Sequence, residues 1–162
     1  MIVDSYRFLP RSFRAAYELP PTDEPAVWAP FDQRLAESTI TLLSSAGLYV
    51  EHEQPSFDLD REREEPTWGD PSHRIIPSRC PPLAMAHLHV NEADILADNE
   101  VALPRRALDA LVAQGTVGAS SDTHVSVTGY QGNLQAWRDV TAPAIIEHLR
   151  AQCTDGVVLA PV

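Results

Sequence analysis

Six histidines and two cysteines are the residues of this 162-residue chain best suited to metal or covalent chemistry. Two of the histidines lie in Leu83-Ala84-Met85-Ala86-His87-Leu88-His89, where strand alternation puts His87 and His89 on the same side as Met85. Two imidazoles at i and i+2 can ligate a metal once a third ligand arrives from elsewhere, but His-x-His is also common by chance, and either ring can simply line a pocket or satisfy a buried hydrogen bond. His124, in Asp122-Thr123-His124, is expected at or beyond the end of the strand that begins near Thr116. Cys80 and Cys153 stand far apart in no metal-ligand spacing, which argues against a disulfide framework or a zinc ribbon and leaves both as structural thiols. Thr128-Gly129-Tyr130-Gln131-Gly132 leads into a helical segment that starts at Asn133. Backbone N–H groups at such a turn can hold a carboxylate, although two glycines are as readily just a turn.

The elements that would position these groups follow from hydrophobic period and punctuation. Ser5 to Glu18 has helical spacing with Pro10 near its start, and a Pro-rich strap through Pro30 follows, expected to dock Trp28. Residues 1–30 are thus set apart from an α/β domain over 31–162. Phe31 to Glu37 reads as a short helix. Ser38 to Gly47 reads as the first central strand, whose small end, Ser44-Ser45-Ala46-Gly47, suits a pocket floor. Glu51 to Asp70 holds eight acids against two arginines and is expected to be a solvated loop. A turn and short strand over Gly69 to Pro77 and the strand over Leu83 to His89 come next, then a polar loop from Asn91 to Leu103. Pro104 opens a helix that Gly115 ends, with Ala107, Leu108, Leu111 and Val112 as its apolar stripe.

Leu134, Trp137, Thr141, Ile145 and Leu149 recur at helical spacing, and Pro143 either kinks that helix or starts a second one. Asp155-Gly156-Val157-Val158-Leu159-Ala160-Pro161-Val162 then reads as a buried parallel strand. The strand, helix, strand order predicts right-handed crossovers and a single α/β domain: a mainly parallel sheet flanked by helices in a Rossmann-like three-layer arrangement. In such sheets ligands bind just beyond the carboxyl ends of the strands.

A net charge of −11 argues against nucleic-acid or anionic-membrane partners, whose recognition needs clustered Lys and Arg. Met1 to Arg14 lacks the apolar core of a signal peptide, so a soluble cytoplasmic protein is the expectation.

The order of several pieces resembles the selenoprotein B type subunits of glycine, sarcosine, betaine and D-proline reductases, especially the shorter D-proline reductase-like members. These pieces are Val27-Trp28-Ala29-Pro30, Ser45-Ala46-Gly47, Gly69-Asp70, Arg74-Ile75-Ile76-Pro77 and Ala86-His87. They continue with Asp94 and Asp98 before Pro104, then Gly115, His124, Gly129, Ala142-Pro143-Ala144-Ile145-Ile146 and the terminal run to Val162. In that family the terminal strand runs into a selenocysteine, or a cysteine in its place, followed by x-x-Cys-His sequence. Val162 stands immediately before that position.

The resemblance therefore implies the amino-terminal part of a longer selenoprotein, cut where a selenocysteine codon was read as stop, and inactive as this fragment. It further implies reductive C–N cleavage with thiol/disulfide exchange. A small amine or amino acid would be the substrate, other reductase subunits or a thiol reductant the partners, and an oligomer is consistent with it. No cofactor is identifiable beyond the expected selenocysteine. His87 and His124 become candidates for proton transfer or substrate orientation, and Asp94 for holding a histidine or a substrate amine. Two readings of other classes stand beside this one: a non-catalytic acidic binding or regulatory module, and a metal-dependent hydrolase on His87, His89 and His124.

Overall fold

A computed structural model describes residues 29–162 apart from 66, 81, 132 and 133. The expected helix over Ser5 to Glu18 and the docking of Trp28 lie outside the described residues. Residues 32–162 form one compact α/β unit. In chain order its elements are β1 (Thr39–Ser44), β2 (Leu48–Val50), α1 (Leu59–Glu64), β3 (His73–Pro77), β4 (Leu83–Met85), α2 (Glu92–Ala97) and α3 (Arg105–Ala113). They continue with β5 (Ala119–Ser120), β6 (Thr123–Val127), α4 (Leu134–Ala136), a π-helical segment (Trp137–Thr141), α5 (Ala142–Ala151) and β7 (Gly156–Ala160).

β1 is the centre of the main sheet, as its β-branched start and apolar alternation predict. Its even-numbered residues bond to one neighbour and its odd-numbered residues to the other. The carbonyls of Ser38 and Ile40 accept from Ala119 and Ser121, whereas the carbonyl of Thr39 accepts from Asp155 and the Ser45 N–H donates to Ala160. β5 and β6 therefore lie along one edge of β1 and β7 along the other, all parallel to it, with β3 antiparallel outside β6. The register shows that β5 and β6 are one interrupted strand: from Ser120 to Val125 it runs two residues longer than the stretch of β1 from Ile40 to Leu43 that it faces. Such a bulge leaves a β1 amide without a ladder partner.

One face of the sheet, with Ile40, Leu42 and Ile76, packs on Leu48, Val50, Leu83 and Met85 of the small antiparallel β2–β4 sheet and on Ile95, Leu103 and Leu108 around α2 and α3. The other face, with Leu43, Ile75, Val125 and Val127, packs on Trp137, Ile145 and Leu149. The three-layer expectation holds. Among the described residues no helix is long and apolar enough to cross a membrane.

Several local expectations need correction. The acidic stretch from Glu51 to Asp70 is no solvated loop throughout: it contains α1, capped by the Asp58 side chain on the Arg61 amide, and it buries Phe57, Glu62 and Asp70. Asn91 to Leu103 contains α2 and a 3₁₀ turn (Asn99–Val101), because the Asn91 and Asp98 side chains cap those turns. The 31–37 segment forms only a 3₁₀ turn (Leu35–Glu37). In α3, Leu108 is buried while Leu111 is exposed. The strand before the His pair stops at Met85: the Ala86 N–H still donates to the Gly47 carbonyl at 3.0 Å, but the Gly47 N–H turns away to the Val127 carbonyl at 2.9 Å. Finally, β7 is an exposed edge and not a buried strand, with Val158 47% and Leu159 67% accessible. An apolar β-branched run fits either position, so its composition could not decide between them.

Candidate functional site

Because β1, β6 and β7 run parallel, their carboxyl ends meet at one end of the sheet. There the chain turns on small residues: Ser45 after β1, Thr128-Gly129 after β6 and Pro161-Val162 after β7. The Val162 N–H donates to Ser45 Oγ at 2.9 Å. Gly129 lies close under both, since a Cβ on it would stand 3.4 Å from the Val162 carbonyl oxygen and 3.5 Å from that of Ser45. Beside this junction is a cavity of about 360 Å³ whose walls include Ser45, Thr128, Gly129, Gln131, Leu134 and Trp137. The small strand end read as a pocket floor contributes Ser45 to it.

The turn that forms one wall is fixed from the acidic stretch. The Asp70 carbonyl accepts from Thr128 Oγ1 at 2.9 Å and from Gln131 Nε2 at 2.7 Å, and Gln131 Nε2 also reaches Thr128 Oγ1 at 3.0 Å. The Asp70 carboxylate in turn accepts from the backbone amides of Asp58 and Ser72. Gly69 packs so closely on the Tyr130 carbonyl that no Cβ fits there. Two polar atoms of the cavity's wall residues, Gln131 Oε1 and Trp137 Nε1, are buried without a hydrogen-bond partner among the described residues. Each such atom costs about 1–3 kcal/mol when left unpaired.

His124 is placed elsewhere. It is fully buried within β6, four residues before Thr128, or roughly 13 Å along the strand. Its Nδ1 accepts the Leu42 N–H at 3.2 Å, filling the ladder position that the bulge leaves open. Burial pushes its pKa down to about 4, Arg105 adds to the fall, and Asp109 opposes it. The ring is therefore neutral near pH 7, with its proton on Nε2. His124 was expected at a strand end, and the interruption at Ser121-Asp122 explains the difference: the strand resumes beyond it.

His87 is half-buried in the turn after β4, its Nδ1 accepting the His89 N–H at 3.1 Å. Burial lowers its pKa, the neighbouring His89 lowers it further, and Glu92 opposes. The two rings stand edge to face at 6.1 Å, and His89 Nε2 lies 3.6 Å from the buried Glu62. Asp94 is exposed on α2. None of His87, His124 and Asp94 lines the cavity at the strand ends, and no hydrogen bond or ion pair joins them to one another among the described residues. Nor do the described residues hold any group of three His, Cys, Asp or Glu side chains placed to bind a metal ion.

Cys80 accepts a hydrogen bond from Arg105 Nη1 at 2.8 Å in a separate cavity of about 390 Å³, and Cys153 is exposed. A larger cavity of about 640 Å³ borders Ser120 to Asp122 at the amino-terminal end of β6. The strand-end cavity is the better candidate, since parallel sheets bind ligands at the carboxyl ends, where loops and helix starts converge. The turn that carries Gln131 was legible in the sequence, and Trp137 packs in the apolar stripe expected of it while also bordering the cavity.

Comparison with known proteins aligns 141 residues of the chain, at 24% identity, with D-proline reductase subunit gamma from Acetoanaerobium sticklandii. The chain is a distant relative of a D-proline reductase subunit. The alignment covers 86% of this chain and 54% of that protein, so the chain spans about half the length of its relative. No family model and no solved structure matches. A distant relation to D-proline reductase subunit gamma is thereby supported.

Proposed function

We propose that the chain contributes the strand-end half of the active site in a selenium- or thiol-dependent amino-acid reductase of the glycine, betaine, sarcosine or D-proline type. The observation that carries this reading is the tether of Val162 to Ser45 beside the 360 Å³ cavity. A residue joined to Val162 in a longer polypeptide would emerge at that cavity. Neither Cys80 nor Cys153 lines it, so the nucleophile of the reaction would have to be that following selenocysteine or cysteine.

A selenolate is anionic at neutral pH and strongly nucleophilic. Its attack on the carbon that bears the substrate nitrogen forms a C–Se bond and expels the amine, which takes up a proton. A thiol then attacks selenium, and the released carbon is protonated. A second thiol closes the disulfide and regenerates the selenol, so the substrate gains the two electrons that the dithiol loses. The thiol donor and the remaining subunits are the proposed partners. Within this reading His87 and Asp94 act outside the wall of the cavity, and His124 acts through the fold of β1 and β6.

The test is to read the gene past the Val162 codon. An in-frame UGA followed by codons for x-x-Cys-His supports the proposal. A different stop codon without that continuation overturns it and favours a non-catalytic acidic module.

A further inference from the structure

We propose that the cleft between α3 and the β3–β4 connection binds a phosphate ester that carries free hydroxyls, a sugar phosphate or nucleotide, with its phosphate on Arg79 and Arg105. The cleft shares no wall residue with the strand-end cavity. Two cavities, of about 390 and 640 Å³, have Ser78, Arg79 and Asp109 in common and so adjoin. The charges of the smaller one divide into those already paired and those left open. Arg106 Nη2 lies 2.6 Å from Asp98, and Glu100 accepts the Arg106 backbone N–H at 2.8 Å and lies 3.8 Å from Arg106 Nε. Arg79 and Arg105 pair with no carboxylate among the described residues. The half-buried Arg105 spends one N–H on Cys80 Sγ at 2.8 Å, and Arg79, the residue before Cys80, opens on the same cavity. A guanidinium carries five donors in a planar fork that an oxyanion satisfies with parallel bonds, so two open forks in one cavity make an anion seat.

The far part of the cleft decides what the anion is attached to. Past Arg79 the walls present the carboxylates of Asp109 and Asp122, neither of which accepts a hydrogen bond among the described residues, beside Pro77, Val112 and Ala119. Carboxylates accept from hydroxyls and repel a second anion, so the remainder of the ligand is uncharged, hydroxylated and partly apolar. Inorganic phosphate would leave most of this space empty, whereas a phosphorylated sugar or nucleoside suits its size.

The test uses Cys80 as the reporter. Cys80 lines the cavity and the exposed Cys153 does not, so peptide mass spectrometry of iodoacetamide alkylation reads occupancy with an internal control in the full chain. Ribose 5-phosphate, adenosine monophosphate, inorganic phosphate and ribose are the probes. One of the two esters should slow alkylation of Cys80 alone, at about a tenth or less of the inorganic phosphate concentration needed, and ribose should have no effect. The ester that protects at the lower concentration identifies the ligand as sugar phosphate or nucleotide. Arg79→Gln, at an exposed position, should raise the protecting concentration about tenfold, as expected for one lost charge-assisted hydrogen bond, and Asp109→Ala should remove the advantage over inorganic phosphate. Equal protection by inorganic phosphate would mean an anion seat only and overturns the proposal. So does the failure of both esters to protect, or protection that Arg79→Gln leaves unchanged.

Discussion

The buried bond between His124 and β1 makes stability depend on pH in a way that one substitution can isolate. In the folded chain the imidazole is neutral, with a pKa near 4 against 6.5 for a solvated histidine. Protonation would place a charge in the sheet and turn its acceptor Nδ1, which holds the Leu42 N–H, into a donor. The unfolded chain therefore takes up a proton that the folded chain refuses. This stabilising contribution is fully present above about pH 6.5 and is lost as pH falls from there toward 4. Linkage across that interval gives a loss on the order of 1–2 kcal/mol between pH 7.5 and pH 5.5.

His124→Asn keeps an acceptor near the position of Nδ1 and does not titrate. Urea unfolding of the natural chain and of this variant, followed by far-UV circular dichroism at both pH values, cancels the contribution of the other titrating groups, including His73 and His87, whose pKa values are also lowered. The difference in stability between the two proteins should shift by roughly 1–2 kcal/mol in favour of the variant at pH 5.5. A difference that stays constant within about 0.3 kcal/mol, below the usual scatter of independent sites, would refute the buried neutral imidazole.

Two further perturbations probe the frame of the site. Gly47 and Gly115 both adopt positive φ, at 66° and 71°, yet a Cβ on Gly47 would run into the Ala86 carbonyl while one on Gly115 would meet open space. Gly115→Ala should cost about 1 kcal/mol for conformation alone and Gly47→Ala about 3 kcal/mol or more, compared by thermal unfolding; equal losses would show that the Gly47 contact relaxes. Asp70→Ala removes the acceptor of the Asp58 and Ser72 amides and should cost about 2 kcal/mol, with faster hydrogen exchange at both amides. Unchanged exchange there would show that the carboxylate does not anchor the acidic stretch.

Sheet class was legible because it depends on order and period. The β-branched run after Ser38, the Pro104 to Gly115 helix and the short connection into β7 leave few arrangements other than a parallel layer with helices on both faces. What was not legible depended on single capping side chains and on register. Asn91 and Asp98 look like loop residues until their oxygens are seen on the amides that begin a helical turn. The two extra residues before Val125 carry no compositional mark, yet they move His124 from a strand end to mid-sheet. Gln131 and Trp137 stood out only as parts of a turn and of an apolar stripe. Their significance lies in which atom stays unpaired, a property of geometry that residue type alone does not carry.

The tail of the sheet shows how the site end is held. β7 has one neighbour among the described strands, and Val157, Val158 and Leu159 leave much of their surface exposed, so packing alone fixes it weakly. Long apolar edges of this kind are ordinarily blunted or covered. Instead, polar groups fasten both ends. At the entry, Asp155 Oδ2 accepts the Thr39 N–H at 2.8 Å, and Thr154 Oγ1 lies 2.7 Å from Thr41 Oγ1, itself bonded to Ser121. At the exit, Ser45 donates its N–H to Ala160 and accepts the Val162 N–H on Oγ. Hydrogen bonds, which are directional, thus place Val162 beside Gly129 where apolar contact would let the strand slide. A two-residue slip that preserved the facing of β7 would break both fastenings at once, so the position of its carboxyl end relative to the cavity is set as sharply as that of β1 itself.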